Sequence, residues 1–140
     1  MALARLVYVS TARPGLDPVE LEEMLAAARA RNGALSITGL LVYNGVNFMQ
    51  ALEGPGDAVA AVYDSIARDP RHTGPVAVLE EHVETRAFPG WSMAYAVLPD
   101  QEGAADALRV PPGRISSLLP ETAGAELALL FTSFNAMNAV

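Results

Sequence analysis

Apolar side chains dominate residues 3–10 and alternate in facing: Leu6, Tyr8 and Ser10 on one side, Val7 and Val9 on the other. That pattern predicts a strand with both faces buried. A helix start follows, with Asp17 as an acidic N-cap, Pro18 at the first helical position and Glu20 at the third. Leu21, Leu25, Ala28 and Asn32 then recur at helical spacing, which predicts a helix ending at Gly33. Two further apolar runs, 36–43 and 47–53, hinge on Asn44-Gly45 and predict a β-hairpin.

Gly54-Pro55 introduces a second helix, 56–68, whose stripe is Val59, Val62, Tyr63 and Ile66. Residues 69–75 carry two prolines and a glycine and read as a loop, 76–83 as a strand, 85–90 as a loop and 91–98 as a last strand. The order predicts an α+β, ferredoxin-like βαββαβ sandwich with an added fifth strand, both helices lying on one sheet face. The other face, with Val7, Val9, Met49 and Ala51, is apolar too and needs cover. Residues 111–119 and 121–138 read as short helices separated by Pro120, while 99–113 reads as a linker. The expected division is therefore a domain over 1–98, a linker over 99–113 and a helical extension over 114–140 packed on the sheet.

Composition narrows the chemistry. A length of 140 residues suits one domain, and a hydrophobic content of 51% is too high for disorder. There is no cysteine, which removes disulfides, thiolate metal sites and thiol catalysis. His72 and His82 are the only histidines, too few for a structural metal site. A net charge of −7 argues against general nucleic-acid binding. No apolar run approaches the roughly 20 residues of a membrane span, and the first residues run straight into a strand pattern. The cytoplasm is the expected compartment.

One residue breaks the apolar pattern. Alternation places Gln50 between Phe48 and Leu52 on a buried strand face. An unpartnered buried amide costs about 1–3 kcal/mol, so Gln50 calls for a partner. Tyr8 from the first strand and Asn32 from the end of the first helix converge on the same face. A phenol and two amides suit a flat heterocycle with carbonyl and imine edges, held in a slot between the helices. Each group also has a plainer role. Tyr8 can bond a backbone carbonyl, Asn32 can end a helix, Trp91 can anchor a core, Met93 can fill a gap, and Arg71-His72 can be a solvated loop pair. No phosphate loop or G-x-G-x-x-G fingerprint is present.

Five blocks, in order, resemble one family: Leu6-Val-Tyr-Val-Ser10, Ile37-Thr-Gly-Leu-Leu41, Phe48-Met-Gln-Ala-Leu-Glu-Gly54, Arg68-Asp-Pro-Arg-His72 and Phe88-Pro-Gly-Trp-Ser-Met93. Over residues 3–98 the chain resembles the BLUF domain, a blue-light sensor that binds flavin, and its length resembles the short stand-alone members. The resemblance implies a photosensory signalling protein rather than an enzyme, with non-covalent FAD, or alternatively FMN or riboflavin. It implies that Tyr8 gives an electron and a proton, that Gln50 lies between that phenol and the flavin, and that Asn32 bonds the pyrimidine end. It implies that Trp91 and Met93 exchange places beside Gln50. Met24, Phe48 and Ile66 match positions lining the ring, and Asp69, Arg71 and His72 match contacts to the ring edge or the ribityl–phosphate chain. Arg31 departs from the Asn or His common in relatives, and its guanidinium could stack on the ring or reach a phosphate instead. The implied output is a reversible red-shifted state passed to a downstream protein partner, with no membrane or direct nucleic-acid contact. A homodimer or higher homo-oligomer fits the family.

Two other readings suit the same fold. An acylphosphatase-like hydrolase would use Arg31 and Asn32 on a phosphoryl group. A colourless regulatory module would bind a metabolite or a partner. Fold analogy does not separate these, whereas the motif blocks favour BLUF.

Overall fold

The computed structural model describes residues 3–43 and 45–88, the backbone of residues 94–97, and Leu127. Seven elements follow in the order β1 (Leu3–Ala12), α1 (Pro18–Ala34), β2 (Thr38–Tyr43), β3 (Asn47–Pro55), α2 (Gly56–Arg68), β4 (His72–Val83) and β5 (Ala94–Val97). The strands form one sheet in the order β4-β1-β3-β2-β5. β1 pairs antiparallel with both β3 and β4, β3 antiparallel with β2, and β5 joins β2 in parallel. This is the expected α+β ferredoxin-like sandwich with its fifth strand.

Both helices cover one face. Leu21, Met24 and Leu25 of α1 and Val59, Val62 and Ile66 of α2 pack on Leu6, Tyr8, Leu41, Tyr43, Phe48 and Leu52. The opposite face is buried as well, through Val7, Leu40, Val42, Met49 and Ala51. Leu127 is buried, but the rest of the expected helical extension and the linker lie outside the described residues.

Local signals explain most boundaries. The Asp17 carboxylate accepts from the Glu20 amide at 2.8 Å, the predicted cap, with Pro18 opening α1. α1 does not stop at Gly33. It continues to Ala34 and closes through the Leu35 amide on the Arg31 carbonyl, and it is Ser36, at φ 60°, that turns left-handed. β3 also runs on, through Gly54 and Pro55, which read as a helix start in the sequence. Gly54 is needed there because a Cβ would come within 2.9 Å of the Ser36 carbonyl oxygen.

β4 departs most from expectation. It begins at His72 rather than residue 76, pairing His72 with Ala12 and Thr73 with Thr11. Gly74, at φ 58°, and Pro75 fall in an irregular stretch where the register shifts between Val9 and Thr11. An edge strand tolerates both residues, so turn-forming residues mark a bulge here and not a loop.

Candidate functional site

The site grows from strand register. Gln50 sits directly opposite Tyr8 across the β1–β3 pair and opposite Leu41 across the β2–β3 pair. Cross-strand neighbours on one face are close enough to touch, and the Tyr8 hydroxyl donates to Gln50 Oε1 at 2.5 Å. Both residues are buried, Tyr8 completely. Burial pushes the Tyr8 phenol well above its ordinary value, with Arg31 pulling it down and Tyr63 and Asp69 adding to the rise. Tyr8 therefore keeps its proton at any physiological pH. With Oε1 turned to the phenol, the donor end of the Gln50 amide is its Nε2.

Above this pair lies a small cleft enclosing about 60 Å³. Tyr8 and Gln50 line it together with Met24, Ala27, Ala28, Leu41 and Ile66, and with Arg31, Asp69, Arg71 and His72. The first set makes a polar floor between apolar walls from both helices, and the second a polar rim. Burial pulls the Arg31 guanidinium below its ordinary value, opposed by Tyr8 and Asp69. Its Nε donates to Asn32 Oδ1 at 3.3 Å, and among the described residues Arg31 forms no salt bridge.

Asp69 and Arg71 hold each other at the rim. Arg71 donates through Nε and its backbone amide to Asp69 Oδ1, at 3.0 and 2.9 Å, and through Nη2 to Oδ2 at 2.7 Å. The Arg71 hydrogen bonds hold the Asp69 carboxyl below its usual range, and the same contact raises Arg71.

His72 is not part of a solvated pair. It is 8% exposed, its Nδ1 lies 2.8 Å from Ser10 Oγ, and its ring packs on Phe48 at 4.7 Å. Burial pushes the imidazole down to about 4, with Arg71 and Arg31 lowering and Asp69 raising it, so it is neutral near pH 7.

The structure thus gathers Tyr8, Met24, Arg31, Gln50, Ile66, Asp69, Arg71 and His72 around one cleft. Asn32 and Phe48 are fully buried and do not line it, and Phe48 stacks between Tyr43 and His72 behind the floor. Trp91 and Met93 lie outside the described residues. Sequence reasoning missed Leu41, Ala27 and Ala28 as lining. Leu41 was readable from the hairpin register, and the two alanines from a small-residue step on α1, one turn before Arg31. It also missed Glu53, a carboxylate with no exposure.

Fold and site define an α+β sandwich with a polar-floored cleft between apolar walls from its two helices. Residues 3–94 match the BLUF family, described as "Sensors of blue-light using FAD". The photoactivated adenylate cyclase subunit beta of Euglena longa is 40% identical over 95 residues, 67% of this chain and 11% of that protein. The blue light- and temperature-regulated antirepressor BluF of Escherichia coli is 38% identical over 86 residues, 61% of this chain and 21% of that protein. This chain therefore spans about a tenth to a fifth of these curated relatives. The dark-state structure of BlrB, a BLUF protein, matches with a TM-score of 0.69 at 33% identity, covering 96% of both chains. Klebsiella pneumoniae BlrP1 with FMN and cyclic diGMP matches with a TM-score of 0.75 at 30% identity, covering 96% of this chain and 34% of that one.

The chain belongs to the BLUF family, whose members are described as sensors of blue light that use FAD. The chemistry of the cleft lining suits a flavin. The walls are apolar and the floor offers a phenol and an amide. Arg31, a cation without a carboxylate partner among the described residues, stands at the rim for an anionic chain.

Proposed function

We propose that Tyr8 and Gln50 are the photochemical pair and that this cleft holds the flavin non-covalently. The observation that carries the reading is the buried Tyr8–Gln50 hydrogen bond on the cleft floor, at 2.5 Å. Bound FAD supplies absorption of blue light and an electron-accepting ring. Tyr8 is the residue that releases an electron and its phenolic proton and then recovers both. Its hydroxyl already donates to Gln50 Oε1, so the amide is the first group to feel the loss. Reversal or tautomerisation of the Gln50 amide exchanges its donor and acceptor ends, and the altered hydrogen bonds constitute the red-shifted state. No covalent bond persists, so the state decays thermally.

Met24 and Ile66 face the ring. Arg31, Asp69, Arg71 and His72 serve its polar edge and the phosphate chain, with Phe48 fixing His72 from behind. Asn32 lies behind Arg31, accepting from its Nε, and comes within reach of the ring's pyrimidine end only once the flavin is seated. Trp91 and Met93 carry the change to β5, and the helical extension, residues 114–140, passes it to a downstream protein. A cytoplasmic setting suits this reading, and no described helix is long and apolar enough to cross a membrane.

The test is an absorption spectrum before and after blue light, followed by acid denaturation. The reading predicts a yellow protein, a reversible red shift, and free FAD in the supernatant at about one per chain. Colour that stays with the unfolded chain, or a spectrum unmoved by light, contradicts it.

A further inference from the structure

Three residues beyond Gln50, β3 turns a carboxylate to the opposite face. Glu53 has no exposure, an unusual place for a charge. Glu53 Oε2 accepts from Arg5 Nε and from the Ala87 amide, both at 2.8 Å, and Oε1 accepts from the Phe88 amide at 2.8 Å. Arg5 passes on to Glu81 through Nη1 at 2.9 Å. Burial pulls Arg5 down, but its contacts to Glu53 and Glu81 outweigh this and leave it raised.

A second set of bonds joins the same two segments. Arg86 donates through Nη1 to the Glu53 carbonyl at 3.0 Å and to Thr38 Oγ1 at 2.8 Å, and through Nη2 to the Ser36 carbonyl at 2.7 Å. Residues 86–88 are thereby fastened to β3 and to the start of β2. A hydrophobic contact alone could hold this segment. A buried carboxylate aimed at two successive backbone amides fixes its register as well.

The segment stands between β4 and β5 in the chain, and β5 pairs with β2 beside the β3 that carries Gln50. We infer that Glu53 is a positioning residue that couples the Gln50 strand to the 86–88 segment and so to β5. This rests on Gln50 being the residue that changes with light. Two arrangements of the Gln50 amide alter the load on β3, and a strand fastened at its end by a charged, buried clamp passes that load on and does not absorb it. Arg5 supports the clamp by neutralising it, while the amides of Ala87 and Phe88 receive the motion.

The experiment compares Glu53→Gln and Glu53→Asp with wild type in the full chain. It reads the light-induced red shift, the dark-recovery rate, and the light-minus-dark difference in amide hydrogen exchange over residues 86–97. Glu53→Gln keeps the shape but sets an amide nitrogen against one of two backbone donors. Glu53→Asp keeps the charge but withdraws it by one methylene. Arg5→Gln serves as the control, because it removes the counter-ion and leaves the grip on Ala87 and Phe88.

The expected result for the Glu53 variants is an unchanged red shift, a dark-recovery rate altered roughly threefold to tenfold, and loss of the exchange difference at 94–97. Arg5→Gln is expected to lower the melting temperature and keep the exchange difference. If Glu53→Gln does not fold, Glu53→Asp decides. Variants that are less stable but keep the wild-type recovery rate and exchange difference would make Glu53 a simple brace and overturn the inference. A reversible, full-amplitude red shift in Gln50→Leu would instead refute the assignment of Gln50 on which this inference rests.

Discussion

Gln50 and Glu53 are both buried polar residues on β3, three positions apart, and they face opposite sides of the sheet. Gln50 is neutral and meets a neutral phenol that can both donate and accept. Glu53 is charged and is held by Arg5 and by two backbone amides that can only donate. The first environment permits two satisfied arrangements, because an amide reversed end for end still offers one donor and one acceptor. The second permits only one, because a carboxylate has nothing but acceptors. On the proposed reading one strand thus carries a group that can switch and a group that cannot, and polarity alone would not have told them apart. What separates them is whether their partners are reversible.

The largest effect that would sharpen this contrast is functional. Tyr8→Phe removes only the hydroxyl and leaves the ring packed. It should retain FAD and abolish the red shift, as read by light-minus-dark absorption. A normal photocycle in that variant would require another donor. The cost in stability should be about 1 kcal/mol, since Gln50 Oε1 loses its phenol partner.

The next effect lies in pH. The His72 imidazole is about 4 in the fold against 6.5 for the free side chain. As pH falls, the unfolded chain takes up this proton first. The stability that His72 contributes is complete above about pH 6.5 and is lost as pH falls toward 4. The loss is at most about 3 kcal/mol. His72→Gln should flatten the fall in denaturation free energy between pH 6.5 and 4 relative to wild type. A wild-type profile that is already flat there would mean that the ring is not held neutral. Because His72 packs under the cleft side of β3, the same titration should leave the Glu53 side untouched.

The smallest effect concerns the end of β3. Gly54→Ala brings a Cβ to 2.9 Å from the Ser36 carbonyl, which also accepts from Arg86. A loss of about 1–3 kcal/mol is expected from this overpacking, measured by urea denaturation. An unchanged midpoint would show that the approach of β3 to Ser36 is looser than it looks.

Much of this was readable from the chain. Alternation placed Tyr8 and Gln50 on one face, and strand order made them neighbours. Asp17, Pro18 and Glu20 located the start of α1 to the residue. Other features were hidden for physical reasons. Gly74 and Pro75 carry turn chemistry, which masked four residues of an edge strand and with them the burial of His72. Glu53 is the last residue of the apolar run 47–53, and a glutamate at the end of such a run reads as solvated. Two of its partners are backbone amides 34 and 35 residues away, and backbone groups leave no mark in the sequence. Gly33 carries a stop signal that the helix ignores, because the Leu35 amide still finds the Arg31 carbonyl. The cleft lining by Ala27 and Ala28 is a matter of smallness, visible only once the space beside them is known.

The central claim is that Gln50 switches because both of its arrangements are satisfied. Gln50→Leu tests it most directly, since leucine is of similar size and can neither donate nor accept. The measurement is the light-minus-dark absorption difference of the flavin-loaded variant, followed through recovery in the dark. The account predicts bound FAD and no red shift, the protein remaining in one spectral form. A reversible, full-amplitude shift in Gln50→Leu would contradict it.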